Sequence, residues 1–559
     1  MTGLTLAPED ALVRPGNPRH GADFQANLAM SLGKRLGRDP RELADSIVGE
    51  LDVEGVAAPP LVAGPGFISF RLEDAWIDGA LRAVAADPRL GAGADHDPQR
   101  VVIDYSAPNI AKEMHVGHLR STIIGDALAR ILRFVGDDVI AQNHVGDWGT
   151  QFGMLIEELG DTGWSAGAGT GSIADLDAFY RRARAHFDAD AAFADRARAR
   201  VVALQAGDPR TLAAWRQLVD ESQRHFDVVY DMLGVGLTAT DMAGESMYHD
   251  LLAGTVDALR EAGLLELDGG ALCAFPDGFR NRDGERMPLI VRKSDGGHGY
   301  AASDLAAIRH RAGTLGAERI LYVVGAPQRQ HLRMVFATGR AAGWLGDGVE
   351  AEHVAFGSVL GEDGRILRTR AGENVRLVDL LREAVVRAGD AIARRTGAAD
   401  DELARRVGIG AVKYADLSND RVHDYVFSFD RMLALEGNTS VYLQYAQARA
   451  ASVLLRAGDD MPAAAAPVAV REDAERALAL ALLQFGPAVG HVASSLQPHR
   501  LCTYLYETAT AFSAFYERCP ILKAGDPATR ATRLELTRHT GAVLRTGLDL
   551  LGIDAPQQL

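Results

Sequence analysis

The chain has 559 residues, 47% of them apolar and 24% charged, with a formal net charge of -16; this is the make-up of a globular protein too long for one ordinary core, divided into roughly three to five domains. The acidic balance argues against indiscriminate nucleic-acid binding, which rests on many Lys and Arg contacts to phosphate, although a local basic stripe could still meet a folded RNA. Cys273, Cys502 and Cys519 are scattered and form no Cys-x-x-Cys pair, so buried free thiols are expected in place of a disulfide framework or a zinc site.

In chain order, residues 1–10 have neither the basic start nor the apolar stretch of a signal peptide. No run anywhere approaches the ~20 apolar residues of a membrane helix. A helical stretch is expected around Phe24 to Leu36, and the alternation from Gly64 to Leu72 reads as a strand. Gly91 to Arg100 is small and polar, as in a linker. The apolar run Val101 to Tyr105 reads as a strand that breaks at Pro108. His115-Val116-Gly117-His118 follows, and Ile124, Leu128, Ile131 and Val135 then recur at helical spacing before Gly136 stops the helix. The helix N-terminus offers unpaired N–H donors to an anion, and Gly117, with no Cβ, lets a phosphate or a flat base approach the backbone. Alone, His-x-Gly-His fits a pair of capped or core histidines equally well. Between this strand and this helix it reads as a nucleotide-binding crossover unit.

Beyond it, Gly163 to Ser172 reads as a surface loop, and about 175 to 285 as mostly helical. The arginines there (Arg181, Arg182, Arg184, Arg196, Arg198, Arg200) are interleaved with Asp188, Asp190 and Asp195, so a solvated mixed-charge face is favoured over an RNA patch. The core resumes with Leu289 to Arg292 and the buried-strand run Ile320 to Val324. From about 430 the pattern is helical, interrupted by the Gly458 to Pro467 connection.

Ser106-Ala107-Pro108-Asn109 through His118-Leu119-Arg120-Ser121-Thr122-Ile123-Ile124-Gly125-Asp126 resembles the first signature of arginyl-tRNA synthetases, a class I family, with His115 to His118 as its HIGH motif. Asn143-His144-Val145-Gly146-Asp147-Trp148-Gly149-Thr150-Gln151-Phe152-Gly153 resembles a second block of that family. The likeness runs from Asp23-Phe24-Gln25-Ala26-Asn27 to the Leu548–Ile553 tail, nearly the whole chain. It implies a multidomain α/β and α protein. Residues 1–97 would be an N-terminal α/β additional domain touching the tRNA elbow. Residues 98–345 would be a Rossmann-type parallel-sheet catalytic domain with a helical insertion at about 175–285. Residues 346–430 would carry a KMSKS-type loop and a connecting helical region, and 431–559 an all-α anticodon-binding domain.

The implied reaction joins L-arginine and ATP as arginyl-adenylate, then passes the arginyl group to the 3′ end of tRNA(Arg). Such chemistry needs alignment and stabilisation of charge on phosphate, with no protein nucleophile. The resemblance assigns Lys112, His115, His118, Arg368 and Arg370 to catalysis, with His115, Gly117 and His118 on ATP. Arg368-Thr369-Arg370 stands where many relatives have Lys-Thr-Arg; the charge is kept, but Arg and Lys are not equivalent at a phosphate. Lys112 fits the lysine held to compensate for a missing motif lysine. Asp104, Ser106, Asn109, Tyr300, Asp304 and Gln328 match the arginine pocket. A guanidinium has five donors and a permanent charge, so it calls for a carboxylate; if the segment is helical, Tyr300 and Asp304 lie one turn apart and can face one ligand. Tyr442, Tyr445 and Tyr516 match anticodon-proximal positions where aromatic rings stack on bases; packing inward is the competing reading. Relatives often end in methionine near the anticodon, where this chain has Leu559. Magnesium is expected to travel with ATP, with no dedicated metal cage and no prosthetic group. A cytoplasmic monomer, no membrane, and activation that waits for tRNA are further implications.

Two rival readings make distinguishable demands. A small-molecule nucleotidylyltransferase has no need of a C-terminal helical domain carrying Tyr442 and Tyr445. A non-enzymatic tRNA-binding paralogue should have lost some of His115, His118, Asn109 or Asp304, and all four are present.

Overall fold

The computed structural model describes residues 8–16, 21–93, 96–149, 151–162, 176–368, 375–458, 461 and 466–559. Arg370, the Gly163–Ser172 loop and most of the Gly458–Pro467 connection lie outside the described residues. The strand Arg100–Asp104 is at the centre of the catalytic region. Val101, Val102 and Ile103 are fully buried, the continuous apolar pattern of a strand covered on both faces. It runs parallel to Asp138–Gln142 on one side and to Arg319–Tyr322 on the other, and Glu350–His353 extends the sheet beyond the latter. The register sets Asp104 beside both Gln142 and Tyr322. The chain therefore leaves the Arg100–Asp104 strand first to one side and later to the other. Such a reversal opens a crevice at the carboxyl ends of the two central strands, where ligands bind in open parallel sheets.

The crossover between the first two strands is the helix Val116–Val135. At Gly125 an added Cβ would lie 2.3 Å from the Tyr105 side chain. That missing methyl lets the helix press against the end of the strand. Gly136 ends the helix in the left-handed conformation, as its position in the sequence indicates.

Two expectations are corrected. Phe24–Ala26 is a strand, paired with Phe67–Phe70, and the helix begins only at Leu28. Pairing to a distant segment overrides local helical spacing there. Leu289–Arg292 does not join the parallel sheet; it forms an antiparallel three-stranded sheet with Leu265–Asp268 and Ala271–Ala274. Its alternating burial marks one wet face, unlike a central strand. The arginine-rich helices behave as a solvated face: Arg182, Arg184, Arg196, Arg198 and Arg200 each pair with a carboxylate.

The N-terminal region is a four-stranded antiparallel sheet backed by the helices Leu28–Leu36 and Pro40–Glu50. Its small core holds Ala29, Leu32, Leu43 and Ile68. The C-terminal region is a bundle of Ser440–Ala457, Asp473–Leu483, Phe485–Ser495, His499–Arg518 and Pro527–Leu550. Asp473–Ser495 alone among the described residues has the length and composition of a membrane-crossing helix. It is broken into two helices at Gln484, and Leu478, Leu482, Phe485 and Val489 are buried in the bundle core.

Candidate active site

The loop after the Arg100–Asp104 strand is strained. Ser106, Ala107 and Ala111 have φ of 73°, 48° and 59°, a region costly for side chains with a Cβ. Each is held through its N–H. Ser106 donates to Ser121 Oγ, Ala107 to Asn143 Oδ1 and Ala111 to Ser222 Oγ, at 2.9, 3.0 and 2.9 Å. Asn143, the first residue of the second signature block, also donates to the Tyr230 hydroxyl at 2.9 Å. This block thus buttresses the motif loop. The Ser106 hydroxyl is itself buried between Thr122 and Tyr230; its side chain serves the loop and does not face the cleft.

His115 and His118 share one device. The Gly117 N–H donates to His115 Nδ1 at 3.0 Å, and the His115 N–H donates to His118 Nδ1 at 3.1 Å. A ring nitrogen that accepts cannot carry the proton, so both rings are Nε2–H tautomers with that donor left for a ligand. The rings lie 4.1 Å apart between centroids. Burial, then the neighbouring His115 and Lys112, push His118 down to about 3; burial and Lys112 lower His115 against the pull of Asp177. Both imidazoles are therefore neutral donors at physiological pH. Gly117 is required here for a second reason: a Cβ would sit 2.7 Å from the His115 ring.

Two cavities flank His115. One, of roughly 600 Å³, is lined by Asn109, Lys112, His118, Arg181 and Arg376 among others. The other, of roughly 320 Å³, is mostly apolar, with Val116, Gly117, Pro327, Phe356, Val359 and Leu367 in its wall and Arg368 at its edge. Arg368 arrives on a turn in which Leu360 bridges Ile366 and the Leu367 N–H donates to Val359. The chain then returns at Val375, where it pairs with the motif loop: the Val116 N–H donates to Val375 and the Leu377 N–H to Met114. Glu113 and Arg376 form an ion pair at 3.1 Å beside these bonds. The far end of the second cationic loop is thus tied to the His-x-Gly-His segment, and the near end, at Arg368, shares a cavity wall with it.

The residues matched to the arginine pocket gather at the same sheet edge. Asp104 is buried, and Oδ2 accepts from Arg311 at 2.8 Å while Arg311 Nε donates to Gln142. Asp304 stands one turn after Tyr300 on the helix Tyr300–Arg309, and its Oδ2 bonds His331 Nε2 at 2.6 Å. That contact uses one of a carboxylate's four lone-pair directions. Tyr300 is 79% exposed and turned out to solvent. Asn109 and Gln328 are exposed on the loops that follow the two central strands, and Asn109 borders the larger cavity. Reading the sequence missed Glu245 and His331. Burial first, then the charges of Asp147 and Asp304, push the Glu245 carboxyl up to about 7. Its hydrogen bond to Asp304 raises His331. Glu245, buried and pressed by Asp147 and Asp304, is an acid that a permanent cation would satisfy.

In the bundle, Tyr442 packs on Tyr506 and shares a hydrogen bond with Ser513, the inward reading of an aromatic on a helix. Arg449 lies over Tyr445 and Tyr516, at 4.7 and 4.9 Å from their centroids. Tyr445, Arg449, Tyr516 and Leu559 line one open cavity.

Neutral histidines at the switch point of a parallel sheet, with a second cationic loop bound back onto them, define the catalytic fold of a class I aminoacyl-tRNA synthetase. The family model "tRNA synthetases class I (R), catalytic domain" matches residues 81–429. "DALR anticodon binding domain" matches 443–559, and "Arginyl tRNA synthetase N terminal domain" matches 2–72. The arginine–tRNA ligase of Thermobifida fusca is 53% identical over all of this chain and 97% of its own length. The arginyl-tRNA synthetase structure from Plasmodium falciparum aligns with a TM-score of 0.83 at 28% identity, covering 98% of this chain and 94% of that one. The Thermus thermophilus enzyme aligns with a TM-score of 0.82 at 26% identity, covering 98% and 96%. The chain belongs to the arginyl-tRNA synthetase family.

Proposed function

We propose that the chain charges tRNA(Arg) with L-arginine in two steps at the sheet edge described above. The observation that carries this reading is the acid cluster of Glu245 and Asp304 beside Asp104 and Tyr322, the carboxyl ends of the two central strands, with the His-x-Gly-His segment following the first of them. ATP lies across His115, its adenosine in the apolar cavity beside Gly117 and its phosphates in the cavity lined by Lys112 and His118. The arginine carboxylate attacks the α-phosphorus, a new P–O bond forms, and pyrophosphate leaves. Nε2–H of His115 and His118 donates to phosphate oxygens, and Lys112, Arg368 and Arg370 supply the positive charge that neutral imidazoles cannot. Mg²⁺ enters with ATP. A terminal ribose hydroxyl of the tRNA then attacks the acyl carbon, and AMP departs.

Asp304 and Glu245 take the guanidinium. Tyr300, free at the mouth, folds over it and adds its hydroxyl, while Asn109 and Gln328 reach the amino-acid backbone. Asp104 acts through Arg311, setting the floor of the pocket, and Ser106 through the loop conformation. Tyr445 and Tyr516, with Arg449 between them, stack on anticodon bases, and Tyr442 supports them from below. Activation waits for bound tRNA. The working form is a cytoplasmic monomer divided near residues 97, 345 and 430, with the N-terminal part on the tRNA elbow.

Charging assays with arginine, its neutral isostere citrulline, and lysine test the pocket. Arginine should be preferred over citrulline by at least about 1,000-fold, because a site built for a cation leaves its acids unpaired around a neutral analogue. Comparable charging with citrulline would refute the pocket.

A further inference from the structure

One wall of the phosphate cavity comes from outside the sheet. The helix Leu176–Ala189 presents Asp177, Tyr180 and Arg181, spaced as one helical face. Asp177 and Arg181 line the cavity, and Asp177 accepts the Glu113 N–H at 3.2 Å. Between them the Tyr180 ring lies beneath Lys112, whose ammonium is 4.4 Å from the ring centroid. Among the described residues no carboxylate pairs with Lys112.

We propose that Tyr180 is a positioning residue that holds the Lys112 ammonium at the phosphate cavity by its ring face. This rests on the reading of Lys112 as a phosphate-binding cation. A lysine side chain loses several rotors when it is fixed, so an unheld ammonium spends little time at one point. A carboxylate would hold it but cancel the charge that the phosphates need. An aromatic face attracts the cation through its quadrupole and leaves that charge whole. The lowering of His115 and His118 by Lys112 agrees with an ammonium kept near both rings. The insertion helix would thus complete a site whose other parts come from the sheet.

The test is tRNA-supported pyrophosphate exchange with ATP varied, on the full chain, for Lys112→Ala, Tyr180→Leu, Tyr180→Phe and the Lys112→Ala/Tyr180→Leu double variant. Tyr180→Leu should lower kcat/KM for ATP by roughly three- to tenfold, the scale of a partly desolvated cation–π contact, with the KM for arginine unchanged. Tyr180→Phe should restore wild-type values, and Tyr180→Leu should add nothing once Lys112 is gone. Wild-type behaviour of Tyr180→Leu beside an impaired Lys112→Ala would overturn the proposal, as would a Tyr180→Leu defect that persists undiminished in the double variant. A silent Lys112→Ala would remove the reading beneath it. If Tyr180→Leu does not fold, phenylalanines of increasing ring fluorination at position 180 take its place. A stepwise fall in kcat/KM supports the ring face, and a flat series contradicts it.

Discussion

In the proposed pocket, Asp304 and Glu245 would build a site for a permanent cation from side chains that dislike each other. Two acids near one another under partial burial cannot both stay ionised at low cost, and Glu245 responds by holding its proton up to about pH 7. Guanidinium binds the ionised form, so binding below that pH must expel a proton. Arginine affinity should therefore rise with pH and level off above 7, by about tenfold between pH 6 and 8 if binding requires the ionised acid. His331, raised by Asp304, works in the same direction: losing its proton frees the carboxylate for the ligand. Titration calorimetry in buffers of different ionisation heat would report the released proton, and Glu245→Gln should remove most of the slope. A pH-independent affinity in the wild type would show that Glu245 does not face the substrate. Asp304 was legible in the sequence because it sits one helical turn from Tyr300 in a recognisable segment. Glu245 and His331 were not, since each reaches Asp304 from a distant segment and stands in no local pattern; only folding brings the three together.

At the level of elements, the motif loop and the second cationic loop form one unit. Backbone bonds join Met114 and Val116 to the 375–377 segment, and the Glu113–Arg376 pair lies beside them. Arg376→Glu should repel Glu113 and loosen the junction, with a fall in kcat of about tenfold, the cost of misplacing a group that stabilises the transition state by one hydrogen bond's worth. The swapped pair Glu113→Arg/Arg376→Glu should recover much of that loss in single-turnover adenylate formation. Wild-type activity of Arg376→Glu would mean that the backbone bonds alone hold the loops, and failure of the swap to recover any activity would mean that the attraction between these two side chains is not what the junction needs. The strand, the turn and the motif helix were readable from apolar periodicity and Gly136. The strand Phe24–Ala26 and the small sheet containing Leu289–Arg292 were not, because each is set by a partner strand far away in sequence.

Over the whole molecule, buried and half-buried arginines fasten the parts together. Arg120 of the motif helix bonds Asp416 and the His423 carbonyl, tying the active site to the helix Asp401–Leu417 that leads to the bundle. Arg130 of the same helix pairs with Asp126 and Asp549, the latter near the end of the last bundle helix. Arg476 of the bundle grips Asp23, Asp74 and the Leu72 carbonyl of the N-terminal region. Arg476→Ala should leave Asp23 buried without its partner, at a cost of roughly 3–5 kcal/mol. Proteolysis should then release the N-terminal region, and tRNA affinity should fall while the remaining fold keeps its melting transition. An unchanged cleavage pattern would show that other contacts hold the region. The domain order was legible because the motifs lie in order along the chain. These clamps were not, since one arginine among many carries no sign of burial. The most direct measurement of the central claim is arginine-dependent exchange of labelled pyrophosphate into ATP, with and without tRNA(Arg). The account predicts exchange with arginine once tRNA is present, and the absence of exchange under both conditions would contradict it.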